Sequence, residues 1–136
     1  MKAIAHRKDV NGLAHDLEIR EHQLVCDEPA DKGGDDQGPT PQELLAASLA
    51  ACIAITIEMY ARRKEWELGE VEVQCDYDQP DRGEPTLFKV TLRLPGGLTP
   101  DQVERLEVVA ARCPVHRTLE GEARFEQQTE LTEPAT

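Results

Sequence analysis

Two of the four cysteines stand out by their position in the chain. Cys52 lies in the middle of an apolar run, and Cys113 is followed directly by Pro114 and, three residues on, by His116. The thiolate is the reactive form of cysteine, so either residue could act as a nucleophile or redox centre if its surroundings favour the charged form. The alternative is ordinary packing, which residue type alone favours, because unreactive buried cysteines are common.

Cys113 is also a candidate helix cap. Pro114 suits the first position of a new helix, and Cys113 would then cap a short turn over residues 115–119. A thiol there gains from the partial positive charge of the helix start. Cys26 and Cys75 fall on the inward faces of predicted strands, where packing is the better interpretation. Without a Cys-x-x-Cys motif, we expect free thiols or one catalytic pair rather than a structural disulfide framework.

Glu43 is the third candidate site residue, and it also has a structural explanation. Thr40, Pro41 and Glu43 occupy the cap, first and third positions of a predicted helix, which is the pattern of a capping box. Nine residues at about 100° each place Glu43 and Cys52 on opposite faces of that helix, roughly 13 Å apart along its axis. We therefore expect Glu43 to assist Cys52 only across an antiparallel pair of such helices.

The sequence gives little support for a bound metal or cofactor. Cys113 and His116 form a lone pair of ligand types, and His6, His15 and His22 are expected on strands or at the surface. There is no phosphate-binding loop, dinucleotide fingerprint or nucleophile elbow. We therefore expect no metal and no cofactor.

Length and charge restrict the class of protein. The chain of 136 residues (15.2 kDa) predicts one domain over residues 1–136. With 27 acidic and 15 basic residues the net charge is −12, which argues against nucleic acid or an anionic membrane as partner. The first ten residues are charged and lack an apolar core, so we expect no signal peptide, no transmembrane segment and a cytoplasmic location.

The longest predicted element is a helix from Thr40 to Lys64. Its residues 44–57 carry only Ser48 and Thr56 as polar side chains. A surface helix has one apolar stripe, so this helix is expected to be buried on every side. Fourteen residues are short for a membrane span, which needs about 20. Since so short a chain has little else to wrap the helix, we expect a second copy to cover part of it.

Strands, turns and a second helix are predicted around the central helix. The expected strands are residues 2–8, 13–19, 22–27, 70–78, 87–94 and 123–129. Asn11-Gly12 predicts a two-residue hairpin turn, Arg20-Glu21 a tight turn, and residues 28–38 a loop. A second helix begins after Thr99 and carries Cys113 inward at its end, and residues 131–136 form a polar tail. The order β-β-β-α-β-β-α-β indicates an α+β domain with a mainly antiparallel sheet on one side and helices on the other.

Two segments resemble the motifs of a known family. Residues 38–52 (GPTPQELLAASLAAC) and residues 112–119 (RCPVHRTL) resemble the two cysteine motifs of the OsmC/Ohr family. The loop over residues 27–36 is similar to that of its general OsmC-like branch. The similarity covers nearly the whole chain, and two cysteine motifs in this order outweigh the packing interpretation of Cys52.

The resemblance implies an intertwined homodimer in which two long central helices pack together and sheets wrap around them. It implies thiol-dependent reduction of organic hydroperoxides, with Cys52 as the peroxidatic cysteine, Cys113 as the resolving cysteine and Glu43 as the active-site carboxylate. Cys52 would become a sulfenic acid, Cys113 would condense with it to a disulfide, and an external dithiol, a lipoyl group in the family, would reduce the pair.

One feature of the sequence departs from the family pattern. The peroxidases of the family use an arginine from the segment before the central helix to stabilise the thiolate, whereas residues 28–38 contain Lys32 and no arginine. Arg20, the nearest arginine upstream, falls at a predicted turn, so His116 or Lys32 would have to take this role. A second hypothesis is therefore a non-enzymatic dimer of the same fold that binds a small ligand or partner.

Overall fold

Residues 1–134, which the computed structural model describes, form two antiparallel sheets and three α-helices. Residues 135–136, which end both the predicted polar tail and the predicted domain, lie outside the described residues. The N-terminal sheet contains β1 (Ile4–Arg7), β2 (His15–Ile19) and β3 (His22–Cys26), in that order. Then follow a 3₁₀ turn (Ala30–Lys32), the long helix α1 (Pro41–Arg63), and a hairpin of β4 (Glu72–Asp76) and β5 (Lys89–Arg93). The chain continues with α2 (Pro100–Ala110) and α3 (Pro114–Glu120), so the predicted α+β class is confirmed.

The two turns of the N-terminal sheet differ in length. Arg20 takes a left-handed conformation, with φ of 54°, in the predicted two-residue turn between β2 and β3. The turn between β1 and β2 is longer than the two residues predicted and spans residues 8–14. Asn11-Gly12 still lies at its tip, where the Gly12 N–H donates to the Asp9 carbonyl at 3.1 Å. Local hydrogen bonds thus stabilise a wider loop than the Asn-Gly pair alone indicated.

Helix α1 begins and ends where the sequence predicted. The Thr40 hydroxyl accepts the Glu43 N–H at 3.1 Å, and the Glu43 carboxylate accepts the Thr40 N–H at 2.8 Å, which completes the predicted capping box. Arg62 and Arg63 occupy the last turn, where cations interact favourably with the helix dipole.

The predicted burial of α1 on every side includes cover by a second copy of the chain, and the single chain buries only one side of the helix. Its buried side chains form one stripe at helical spacing, namely Leu49, Ile53, Ile57 and Ala61. The opposite face is exposed along its length and carries Ala47, Ser48, Ala51, Ile55, Glu58 and Met59. The reason is that the hairpin, α2 and α3 contact α1 from one side only. Length and composition would also let α1 cross a bilayer, but the core helix of a globular domain meets the same criteria.

The hydrophobic core joins the buried stripe of α1 to the C-terminal helices. Leu106, Ala110 and Cys113 pack against it, and partly buried side chains from the hairpin, such as Val73 and Leu92, close its other side. Trp66, just beyond α1, also packs against this cluster and stacks edge-on against Tyr60 with ring centroids 5.6 Å apart. The core therefore fixes how α1 and the segment around Cys113 lie relative to each other.

Two further predictions about the strands are wrong. The strands do not form one sheet, because within residues 1–134 β1–β3 and β4–β5 pair only inside their own groups. Residues 123–129 are not a strand, and Phe125 in this segment is 93% exposed. Alternating side chains alone do not make a strand, because its N–H and C=O groups need a neighbouring sheet edge and its apolar face needs a core.

The loop before α1 is organised around one buried carboxylate, that of Asp27, which is 2% exposed. Its oxygens accept backbone N–H groups of Glu28, Asp35 and Gln37 at 2.7, 3.1 and 3.1 Å. The Asp27 N–H donates to the Pro39 carbonyl at 3.1 Å, which ties the loop to the start of α1. A Cβ on Gly34 would lie 1.9 Å from the Glu28 carbonyl oxygen, so only glycine fits there.

Replacing Asp27 should destabilise the fold in a pH-dependent way. Burial alone would raise the pKa of Asp27, but the three backbone donors and nearby His15 hold that pKa below its usual value. Such a carboxylate contributes stability above its unfolded pKa of about 3.9, and the contribution is lost as the pH falls through the lower folded pKa. Asp27→Asn is therefore expected to lower the urea midpoint at neutral pH, with a difference from wild type that shrinks in strong acid.

Asp31→Asn is the control for this experiment, because Asp31 is an exposed carboxylate of the same loop. Urea unfolding of the three proteins across the acid range gives the comparison. Equal midpoint shifts in both variants, or a shift in Asp27→Asn that does not depend on pH, would contradict the role assigned to the buried carboxylate.

Candidate active site

The junction between α2 and α3 places Cys113 in the core. Helix α2 ends at Ala110, three residues before Cys113. The predicted setting in which Cys113 ends the second helix is therefore wrong. Cys113 is instead the N-cap of α3, with an extended backbone and with its Sγ accepting the His116 N–H at 3.3 Å. Pro114 takes the first helical position, where a missing N–H removes no helix hydrogen bond. The alternative in which Cys113 caps a short helix is therefore confirmed.

Cys52 lies on the flank of α1 that faces α3. The Val115 N–H donates to Cys52 Sγ at 3.5 Å, so the first turn of α3 supplies a backbone donor to each sulfur. Cys52 also lies close enough to Cys113 to raise the pKa of the Cys113 thiol, and both residues are free thiols. The fold thus brings together, from α1 and α3, the two cysteines that the sequence singled out.

The two thiols differ in exposure and in their electrostatic environment. Cys113 is fully buried, whereas Cys52 is partly exposed. Burial raises the pKa of the Cys113 thiol, and the adjacent Cys52 raises it further, against the opposing effect of the His116 and Val115 N–H groups. Cys113 therefore stays protonated at neutral pH and can donate its S–H to Cys52, while Cys52 is the sulfur that solvent reaches.

Glu43 does not meet Cys52 within one chain. Its carboxylate is held by the capping box at the start of α1. It lines a cavity of about 670 Å³ together with Cys75 and Tyr77, and Cys52 is not part of that lining. Within a single chain, the structural explanation of Glu43 is therefore sufficient.

The side chains considered as substitutes for the family arginine lie in three different places. Lys32 is exposed in the 3₁₀ turn, and Arg20 is exposed at the β2–β3 turn beside Glu21. His116 is nearest to the thiols, but its imidazole is paired with Glu120. Among the described residues, the N–H donor to Cys52 Sγ belongs to the backbone rather than to any of these cations.

Sequence reasoning missed a second cavity, of about 710 Å³, beside α3. Its apolar wall comes from α1, from β5 with the residue before it, and from α3, and consists of Leu45, Leu49, Phe88, Val90 and Leu119. His116 and Glu120 form part of its polar edge. These residues come from three separate elements, so the sequence carried no local signal for the cavity beyond the alternation of the hairpin strand.

The other candidate ligands and thiols have structural surroundings. Cys26 is buried in β3, and burial raises the pKa of Cys75 in β4, with a further increase from the charge of Asp76. His6 and His22 make surface contacts with glutamates of the N-terminal sheet, Glu18 and Glu21. Within residues 1–134, no cluster of three His, Cys, Asp or Glu side chains is close enough to hold a metal ion.

The architecture and the paired sulfurs define an α+β protein built around a two-cysteine centre. The sequence model of OsmC-like proteins matches residues 33–128, which is more than half of the chain. The chain therefore belongs to the OsmC-like family. Among curated protein sequences, none matches significantly.

Solved structures share the fold. A protein from Psychrobacter arcticus superimposes with a TM-score of 0.75 at 18% identity, over 87% of both chains. An OsmC-like protein from Mycoplasma pneumoniae superimposes with a TM-score of 0.72 at 20% identity, over 88% of this chain and 86% of its own. An organic hydroperoxide resistance protein OsmC from Legionella pneumophila superimposes with a TM-score of 0.59 at 26% identity, over 88% of both chains. The OsmC-like fold that the two cysteine motifs implied is confirmed.

The difference between the thiols predicts an order of alkylation. In the folded, reduced protein, iodoacetamide should modify Cys52 about tenfold or more faster than Cys113, because Cys113 is buried and its pKa is raised. Peptide mass spectrometry of timed samples measures the two rates. In concentrated urea the rates should converge, which is the control, whereas equal rates in the folded protein would contradict the assignment.

Proposed function

We propose that this protein reduces organic hydroperoxides with the dithiol of Cys52 and Cys113. The observation that carries the proposal is the contact between a partly exposed and a fully buried thiol, each with a backbone N–H donor from α3. The Legionella pneumophila relative is named as an organic hydroperoxide resistance protein, which supports this substrate class.

In the first step Cys52 is the nucleophile, because solvent and substrate reach it first. Its thiolate attacks one peroxide oxygen, so an S–O bond forms and the O–O bond breaks. The leaving alkoxide takes a proton and becomes an alcohol, while Cys52 becomes a sulfenic acid. The Val115 N–H donates to Cys52 Sγ at 3.5 Å, whereas residues 28–38 contain no arginine that could contact the sulfur.

In the second step Cys113 resolves the sulfenic acid. Its sulfur attacks Cys52 Sγ, an S–S bond forms, and hydroxide leaves as water with the proton of the Cys113 thiol. Because both sulfurs bond to N–H groups in the first turn of α3, they are already close together before this step. An external dithiol, which the family resemblance suggests to be a lipoyl group, then reduces the disulfide and is itself oxidised to a disulfide.

The proposed active form is a homodimer in which the exposed face of α1 pairs with its counterpart. That face exposes two large apolar side chains, Ile55 and Met59, by 54% and 57%, among the small residues Ala47, Ser48 and Ala51. Exposed apolar surface of this kind is typical of an interface. The opposite side of α1 is already covered by its own chain.

An antiparallel crossing of the two α1 helices between Ala47 and Ser48 would give Glu43 a role at the thiol. Both crossing residues are small and exposed, which permits a close approach of the helices. Residues 43 and 52 lie equally far from this crossing point in sequence, so Glu43 of one copy lies level with the partner's Cys52. We propose that Glu43 acts across the dimer in this way.

The second candidate function is a non-enzymatic dimer of the same fold that binds a small apolar ligand. The apolar cavity of about 710 Å³ beside α3 favours it, as does the absence of an arginine from residues 28–38. This candidate predicts that the thiols stay reduced in the presence of peroxide.

Reaction with a hydroperoxide tests the main proposal. Reduced protein mixed with equimolar cumene hydroperoxide should lose two thiols and form a Cys52–Cys113 disulfide, detected by peptide mass spectrometry. Cys52→Ser should lower the rate by about a hundredfold or more, because it removes the nucleophile. Cys113→Ser should react once and accumulate the sulfenic acid, which a dimedone adduct reports.

Cys75→Ser is the matched control and should leave the rate within about twofold, because Cys75 takes no part in either step. Slow oxidation spread over all four cysteines, or no thiol loss in a folded protein, would reject the peroxidase proposal and favour the ligand-binding dimer.

The dimer proposal predicts the effect of a charge at the helix crossing. The wild-type protein should sediment at about twice 15.2 kDa at micromolar concentration, and Ala47→Glu should shift it to the monomer because a carboxylate would be buried without a partner. Ala30→Glu adds the same charge at an exposed site in the loop before α1 and should leave the dimer intact. A monomeric wild-type protein would contradict the proposal.

A further inference from the structure

Four cations gather around one phenol where α1 ends beside α2. Arg105 Nε donates to the Tyr60 hydroxyl at 2.8 Å, and its guanidinium carbon lies 5.5 Å from the ring centroid. Lys64 Nζ and the Arg63 guanidinium carbon lie 5.7 and 6.0 Å from the same centroid. Arg112 is close enough for its charge to act on the phenol. We call these four side chains, with Tyr60, the Tyr60 cluster.

The cations of this cluster have no carboxylate partners, although the chain is rich in them. Acidic residues number 27 against 15 basic ones, so an ion pair is easy to form on this surface. Lys8, Arg20 and Arg93 each make one, with N–O distances of 3.7, 3.5 and 2.7 Å. Within residues 1–134, no carboxylate oxygen lies within 4.0 Å of a cluster cation. Positive charge is therefore concentrated and left free at one place on an acidic protein.

We propose that the Tyr60 cluster is a docking surface for a compact acidic patch on another protein. The cluster is spread over two helices, and none of its residues lines either of the two cavities described above. A spread of exposed cations without a pocket suits a protein surface better than a small molecule. A nucleic acid or a membrane would extend its negative charge beyond the cluster and meet a chain of net charge −12.

The geometry prepares the cluster for such a partner. Tyr60 holds Arg105 in place through the hydrogen bond, so less side-chain freedom is lost on binding. The hydrogen bond from Arg105, together with the charges of Arg105, Lys64 and Arg112, lowers the pKa of Tyr60 despite the opposing effect of burial. The unpaired cations beside Tyr60 would attract an acidic partner to this surface against the repulsion of the rest of the chain.

The cluster is separate from the face of α1 proposed to pair in the dimer. That face runs through Ala47, Ala51 and Ile55, while Tyr60 is turned toward α2, as its bond to Arg105 shows. The docking surface therefore does not overlap the helix face proposed for the dimer. It also stands independently of the peroxidase chemistry, because none of the thiols takes part.

Binding of a ten-residue glutamate peptide labelled with fluorescein tests the inference on the full chain. We expect anisotropy to report saturable binding at low salt that weakens as salt is added. The double variant Arg63→Gln, Lys64→Gln should bind the peptide about tenfold more weakly, and it leaves the Arg105–Tyr60 bond in place. The matched control, Lys8→Gln with Arg93→Gln, removes two charges from ion-paired sites and should change the affinity by less than about twofold.

Several results would overturn the inference. These are no peptide binding at low salt, an equal loss of affinity in the two double variants, or tighter binding of a fluorescein-labelled ten-nucleotide single-stranded DNA or of anionic lipid vesicles than of the peptide. Thermal unfolding of each variant shows that the fold is retained, and Arg112→Gln provides a second, independent substitution in the cluster. A loss of peptide binding in Arg112→Gln without a change in melting temperature would support the inference.

Discussion

The covering of helix α1 is the constraint on which the rest of this structure depends. The helix is apolar on nearly all sides over residues 44–57, yet its own chain buries only the stripe through Leu49, Ile53 and Ile57. Burying one large aliphatic side chain contributes roughly 1.5–3 kcal/mol, so leaving Ile55 and Met59 in water forgoes an appreciable part of the stability of a small domain. The hairpin, α2 and α3 all pack on the stripe that is buried, and the same stripe fixes the position of Cys113.

The residue at the start of α3 differs from the cap residues of the two longer helices. Helices α1 and α2 both begin with a threonine cap and a full capping box, at Thr40 and Thr99. Helix α3 uses Cys113 at the same position, although sulfur is a weaker acceptor than the oxygen of the preferred cap residues. The backbone N–H of His116 nevertheless bonds to this sulfur, and that of Val115 bonds to Cys52. A residue that is inferior as a cap is thus well placed as half of a dithiol.

Most features that depend on local sequence were predictable. The capping box and extent of α1 and the tight turn at Arg20 follow from residues close together in the chain, and the structure has them. The turn at Asn11-Gly12 is the exception, because it is longer than the two residues predicted. The helix that Cys113 caps was one of two settings that the Cys-Pro pair allowed. The contact between Cys52 and Cys113 was not accessible to local reasoning and came from family resemblance, because it depends on how α3 packs against α1.

The predictions that failed most clearly concern contacts between distant parts of the chain. Residues 123–129 alternate like a strand but find no sheet edge in their own chain, and the expected single sheet divides into two. The complete burial of α1 stays a prediction, since the sequence shows that an apolar face needs cover and the single chain supplies it on one side only. Asp27 was also missed as an organiser of its loop, because three N–H donors converge on it only after the loop folds.

The thiols and the unpaired cations lie in different parts of this acidic protein. Surface charges are screened over about 10 Å at moderate salt, whereas the Val115 N–H donor lies 3.5 Å from Cys52 Sγ in a partly buried site. The immediate surroundings of Cys52 therefore matter more to its sulfur than the net charge of −12. The unpaired cations around Tyr60 remain available for contacts outside the chain, and a protein of this net charge could make few favourable contacts with an acidic partner by any other surface.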